Sequence, residues 1–285
     1  MSLSRSTKPL MRVCAPSPAV EFDTAAACQP ALANTLSPID EYYDAAESIT
    51  VLGTAEQLVA SEELGRLILL GHVSAVETYV RGALVRLIGV CDATRAHAGS
   101  QQLALSSIYY YKSEDVALGL FDRISLAGYD EIKKAVKRVA DFDIREVSSL
   151  GTTLKKFDDL CHLRHAAVHA HGTISSAGAA AIGIGASNER FRVVIDFPRA
   201  QEVAAVCRAT VQELNEFLFS AAVESWRRKR LLTGDYDLEG ERFRQLLRAF
   251  WSVRDSTKRR LPARVMFDAA CSTSGESRRP AREAQ

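Results

Sequence analysis

Residues 160–172 read LCHLRHAAVHAHG and hold four of the chain's six histidines (His162, His165, His169, His171), with Arg164 among them. Three chemistries compete for this pattern. His165 and His169 stand four apart, the spacing of a zinc-binding helix. That chemistry takes a glutamate general base directly after the first histidine, and here the position is Ala166 with no third ligand in view. A structural role is the second reading, because the last carbonyls of a helix carry partial negative charge and attract His and Arg. Gly172 is the type of residue that ends such a helix. The third is phosphoryl transfer on RNA by the ribose 2′-hydroxyl. It needs a group that moves protons near neutral pH, which imidazole does. It also needs a permanent forked cation for the phosphate, which arginine supplies. That scheme requires no metal and no cofactor.

The surrounding sequence predicts a mainly α fold. A helical pattern begins over Asp40–Ala46. Ser61 to about Val90 is the longest one: Ser61 caps it, Glu62 and Glu63 favour its first turn, and Leu64, Leu67, Ile68, Val73, Val76, Val80, Leu84 and Leu87 recur at threes and fours. Gly65, Gly71 and Gly82 are candidates for close helix contacts. Further helices are expected over Ser113–Leu126 and Tyr129–Ala140. The segment from about Leu150 to His171 carries the histidines. Residues 177–187 are rich in Ala and Gly, Ser187-Asn188-Glu189 reads as a turn, and Phe191, Val193 and Ile195 alternate in the manner of a small β-hairpin. A long helix follows over about 199–226, with Pro198 at its start. Another is expected over about Glu239–Val253.

Composition sets the frame. The 47% hydrophobic and 25% charged content is that of a globular protein, and the absence of a long apolar run predicts no membrane span. Six scattered cysteines without a CxxC pair, and no apolar leader after the basic N-terminal residues, predict reduced thiols and a cytoplasmic location. From Trp226 to Gln285 there are 15 Lys/Arg against 8 Asp/Glu, a local balance of +7 within a net charge of +1. A polyanion partner or a solvated tail both account for it. Residues 1–40 read as a disordered segment, 41–226 as the helical domain, and 227–285 as a basic helical extension whose order fades after Leu261.

The run from Arg164 to His169 (Arg, a polar residue, three residues, His) resembles the signature of HEPN domains, in particular the RiboL-PSP type of HEPN ribonuclease. Glu77-Thr-Tyr79 on the long helix is similar to the Glu-x-Tyr helix of those domains, and a last long helix after the motif fits them. The likeness covers about residues 41–226. It implies a HEPN-like helical bundle and a metal-independent endoribonuclease, a toxin or antiviral defence effector, that leaves a 2′,3′-cyclic phosphate or its opened form. A non-catalytic module that binds a protein partner or nucleotide is the alternative.

By the same resemblance Arg164 polarises the phosphate and His169 transfers protons. His165 assists, and Glu77 braces Arg164 or a histidine. Lys155 and Lys156, and the cluster Arg227, Arg228, Lys229 and Arg230, are candidate RNA contacts. Tyr109-Tyr110-Tyr111 reads as a partly buried patch, with base stacking as the other possibility. On an ideal helix Arg164 and His169 lie about 140° apart. HEPN relatives meet this by dimerising, so a two-fold homodimer with a composite site is expected. A neutralising antitoxin or activating defence protein is a further implied partner.

Overall fold

A long, capped, acid-fronted apolar pattern becomes the central helix of the protein. The computed structural model describes residues 14–15, 20–31, 35–185, 188–255 and 261–272. The chain divides into Met1–Thr35 and Leu36–Gln285. In the first, Asp23 Oδ1 accepts the backbone N–H groups of Ala25 and Ala26 at 3.0 and 3.1 Å and closes a turn. Half of residues 1–40, where disorder was expected, lie outside the described residues, and Pro38 to Asp40 belong to a helix.

The second unit contains α1 (Pro38–Thr50), α2 (Ala55–Ala60), α3 (Glu62–Val90), α4 (Asp92–Ala98), α5 (Leu105–Tyr110), α6 (Tyr129–Ala140), α7 (Ser149–His169), α8 (Ser176–Ala181), α9 (Phe197–Arg228), α10 (Tyr236–Phe250) and α11 (Ala263–Ser272). Ser61 caps α3 by accepting the Leu64 N–H at 3.2 Å. Buried residues cover about half of the circumference of α3, a broad face rather than a narrow stripe, with Glu63, Leu67, Ser74 and Thr78 exposed on the other side. It packs against α1, α7, α9 and α10. By contrast α6 is two-faced, with Ile132, Val136 and Val139 buried and Lys133, Lys134 and Lys137 turned outward. No helix among the described residues is long and apolar enough to cross a membrane.

Several expectations change. Ser113–Leu126 is not an α-helix but a set of turns around a 3-10 segment, Val116–Phe121. Asp122 accepts hydroxyls from Ser107 and Tyr111 at 2.8 and 2.7 Å, and Gly119 lies against Ser107, so the chain is pulled tightly onto α5. Glycine in its middle also disfavours a regular helix. The predicted β-hairpin is reduced to one isolated antiparallel bridge, Thr173 to Arg192. The alternation behind it is real, since Val193 and Ile195 are buried and Val194 is exposed. The segment pairs only with the turn after α7, because α8 occupies the intervening chain. Ser187 of the expected turn lies outside the described residues.

Residues 227–285 do not form a separate extension. Phe243, Leu246, Leu247 and Phe250 of α10 enter the same core as α3 and α9. Order also continues past Leu261: α11 is anchored by Phe267, wholly buried edge-on to Phe243 at 5.4 Å. Residues 273–285, where order was also expected to fade, lie outside the described residues.

Of the three helix glycines, Gly65 makes the tightest approach. A methyl group there would run into the backbone carbonyl of Ile195, which cannot swing aside as a side chain can. Ala gains about 1 kcal/mol over Gly in a helix interior, and overpacking against fixed backbone costs about 1–3 kcal/mol. Gly65→Ala is therefore expected to destabilise the fold. A urea midpoint equal to or above wild type would show that the 193–195 segment is not held rigidly.

Candidate active site

α7 begins with Ser148, whose hydroxyl accepts the Gly151 N–H at 2.9 Å. Leu150, Leu154, Phe157 and Cys161 form its buried stripe at threes and fours. The next positions on that stripe are Arg164 and Val168. Arg164 is half-buried, and its Nε is cut off from solvent with no hydrogen-bond partner. The guanidinium enters no ion pair among the described residues. A buried guanidinium N–H without a partner is a costly arrangement for stability alone.

His165 and His169 project into solvent on the adjoining face, with ring centroids 4.6 Å apart. His162 sits 3.7 Å from Asp158, which also accepts the Tyr129 N–H at 2.9 Å. Among the described residues no cluster of three His, Cys, Asp or Glu could hold a metal ion.

The helix end is built firmly. Ala170 and Gly172 both donate to the Ala166 carbonyl, at 3.1 and 3.0 Å. His171 and Gly172 have positive φ, 49° and 86°. At Gly172 a side chain would be strained by that backbone, and it would also press on Arg66, 3.1 Å from where a Cβ would lie. Arg66 is buried, held by Glu62 and Glu63 at 3.5 and 2.6 Å, and it donates to the Val193 carbonyl at 3.4 Å. Gly172→Ala is expected to loosen this turn and lower stability by about 1–2 kcal/mol. Faster amide hydrogen exchange at Val193, whose N–H bonds to the Gly172 carbonyl at 2.8 Å, is the measurement.

Arg66 beneath Gly172, and Glu77 beside Cys161, mean that α3 and α7 run antiparallel. Burial raises the Cys161 thiol strongly, Asp158, Cys207 and Glu77 add to it, and Arg164 opposes. Glu77 and Arg164 thus share one neighbourhood without forming an ion pair. Glu77 instead accepts the Leu126 N–H at 3.4 Å, so it braces a loop rather than Arg164 or a histidine.

Lys155 and Lys156 are exposed on α7, about 12–14 Å along the axis from Arg164. Lys155 is 3.9 Å from Glu146. The basic cluster is elsewhere. Trp226 Nε1 donates to Cys91 Sγ at 3.2 Å, just past the end of α3, whereas the α7 terminus packs on the start of α3. About 40 Å of helix separates the two ends. Arg227 and Arg228 also face Glu224 at 3.5 and 4.0 Å. Within one protomer Arg227, Arg228, Lys229 and Arg230 do not join the motif. Tyr109 and Tyr110 are not partly buried but 82% exposed, while Tyr111 is fixed to Asp122.

Two hollows flank the motif. One of about 460 Å3 has Leu67, Leu70 and Val168 as an apolar floor, with Arg66, Arg192, Glu63 and His171 around it. Leu67 and Val168 are 62% and 45% exposed. The other, about 540 Å3, includes Ala170, Ser175, Ser176, Arg190 and Phe191. The Glu62–Arg66 spacing of four was a legible signal for the brace under the motif, but the sequence reading did not use it. The first hollow has no such signal, since residues more than 100 positions apart form it.

Comparison with protein-family models, with curated proteins and with solved structures finds no match.

Proposed function

We propose that the protein is a metal-independent endoribonuclease with a HEPN-like helical bundle, acting in the cytoplasm as a toxin or antiviral effector. The observation that carries this reading is the unpaired, half-buried Arg164 beside the exposed His165–His169 pair at a braced helix end. In the reaction a histidine takes the 2′-hydroxyl proton as that oxygen attacks the adjacent phosphorus. The P–O5′ bond breaks, and the leaving oxygen receives a proton. The products are a 2′,3′-cyclic phosphate and a 5′-hydroxyl. Arg164 offsets the charge that builds on the non-bridging oxygens. His169 is the principal proton-transfer group and His165 its neighbour.

Arg164 and His169 leave the helix on different faces, so the complete site joins the α7 ends of two protomers about a two-fold axis. Exposed Leu67 and Val168 beside the motif support such an interface. An antitoxin or an activating defence protein would act at the same face.

The test is incubation of labelled RNA with the full chain in EDTA. Cleavage to cyclic phosphate ends is expected, with a dimer in analytical ultracentrifugation. Cleavage abolished by EDTA would overturn the metal-free chemistry. A folded protein that binds RNA or a protein but never cuts would favour the non-catalytic module.

A further inference from the structure

α5 shows solvent four side chains that folding would ordinarily cover. Leu105 and Ile108 are 65% and 52% exposed, and Tyr109 and Tyr110 are each 82% exposed. Single exposed apolar residues need no explanation, but four in one short helix form a patch, and such patches mark binding surfaces. The helix that carries them is fixed from below. Ser107 is buried and donates to one Asp122 oxygen at 2.8 Å, and Tyr111 donates to the other at 2.7 Å. The Tyr110 ring stands at 84° to the Tyr111 ring, with centroids 5.0 Å apart. The two outer tyrosines are thus open rings on a rigid base.

Cations flank the patch. Lys112 follows it in the chain and Arg123 follows Asp122, both exposed. Arg81 approaches from α3. The bond to Asp122 raises the Tyr111 phenol and Arg81 opposes that rise. Lys112, Arg123 and Arg81 enter no ion pair among the described residues. Both Asp122 oxygens are taken by hydroxyls, while Glu114 and Asp115 are exposed in the turn that follows. Charge is therefore present but nearly balanced, so the aromatic faces have to supply most of any binding. The patch is also close to the motif along the fold. Arg81 stands one turn beyond Glu77 on the same face of α3, about 6 Å along the axis, and Glu77 shares its neighbourhood with Arg164.

We propose that Tyr109 and Tyr110 form a stacking platform for unpaired bases of a single-stranded RNA, with Lys112, Arg123 and Arg81 beside its phosphates. Every base has a π-face, so open aromatic rings next to uncommitted cations suit a single strand of any sequence. In a duplex those faces are covered. A protein partner suits the patch less well, because lysine is depleted from the cores of protein interfaces. The choice of RNA rests on the cleavage proposed above and names the form of its substrate.

Fluorescence anisotropy on the full chain tests the platform with a labelled 2′-O-methyl RNA of roughly 15 nucleotides, the upper range for such sites. That probe has no free 2′-hydroxyl and cannot be cut. The same strand in a duplex is the control. Tyr109→Ala/Tyr110→Ala, which removes two exposed rings and leaves the fold intact, should weaken the single strand by about tenfold or more. Tyr109→Phe/Tyr110→Phe keeps the rings and should bind as wild type does. Duplex binding should be weaker and indifferent to both variants. Cleavage is read separately, with unmodified RNA in EDTA. A wild type that cuts, beside an alanine variant that binds and cuts equally well, overturns the platform and leaves the cleavage reading standing. Strand binding that falls in the alanine variant of a protein that never cuts supports the platform and overturns the cleavage reading. No saturable binding of the strand by wild type overturns the proposal, as does an equal loss for the duplex. Self-association lost in the alanine variant, with strand binding unchanged, assigns the patch to a protein interface and also overturns it.

Discussion

Arg164→Ala is expected to lower the rate of RNA cleavage by about 10²–10³-fold, the scale of losing one preorganised transition-state contact. Its melting temperature should not fall. The structure makes this pair of outcomes informative. A helix-capping arginine would be tied to carbonyls or carboxylates, and its removal would cost about 0.3–1 kcal/mol. Arg164 instead buries an Nε with no partner. Deleting it relieves an unsatisfied donor, and alanine is at least as good a helix former. Arg164→Lys keeps the charge but loses the planar fork, so partial activity is expected.

His169→Ala should cost about 10²–10⁴-fold, the usual range for a proton-transfer group. Mixing the Arg164→Ala and His169→Ala proteins tests the composite site. If each two-fold dimer forms one shared site, heterodimers restore a fraction of activity whenever one intact pair can form. Melting temperatures that drop in both variants while cleavage persists would favour the capping role.

The second large effect concerns Asp40, far in sequence from what it holds. Its carboxylate accepts the Ser252 hydroxyl at 2.7 Å, the Val253 N–H at 3.0 Å, the Ser37 hydroxyl at 3.0 Å and the Arg254 N–H at 3.4 Å. It is 3% exposed. One side chain thus holds the hydroxyl of Ser37, the cap of α1, and ties down the chain leaving α10. Asp40→Ala would strand the Val253 and Arg254 N–H groups and remove charge-assisted bonds, a loss of about 3–5 kcal/mol. In a chain of this size that corresponds to a fall in Tm of roughly 10 °C. Asp40→Asn keeps one acceptor oxygen and should lose less.

The pH dependence follows from the same contacts. Burial alone pushes the Asp40 carboxyl up, but the bonds from Val253, Ser252, Ser37 and Arg254 together hold it below its ordinary value of 3.8. The stability it contributes is therefore complete above that value and lost as pH falls through the lower, folded value. Denaturation of wild type and Asp40→Asn should converge in strong acid. A constant difference down to pH 2 would mean that the carboxylate is not what matters.

Local sequence carried much of the fold because caps and periodicity act over a few residues. Ser61 with Glu62 and Glu63 marked the start of α3. Tyr129–Ala140 is a helix with the bounds its charge pattern predicts. Pro198 and the stripe from Val203 to Leu218 marked α9. In α11 Ala263, Met266, Phe267, Ala270 and Cys271 recur at threes and fours, a short pattern the sequence reading passed over, and Phe267 against Phe243 is what anchors it. The same rules fail where one distant partner decides. Ser113–Leu126 carried helical signals, but Asp122, Ser107 and Tyr111 pulled it into turns.

For the motif, the sequence by itself determined which residue types stand together: an arginine, a cluster of histidines and a glycine stop on one helix. It also determined, through the 100° step of that helix, that Arg164 and His169 face apart. Only the tertiary structure decided what surrounds them. Arg164 forms no ion pair among the described residues, and Glu77, its neighbour across Cys161, accepts the Leu126 N–H instead. The cluster at Arg227 to Arg230 lies at the other end of α3 from the α7 terminus, since α9 is long enough to carry it there. Pairing and distance depend on how helices cross, and that is set by packing between residues far apart in the chain.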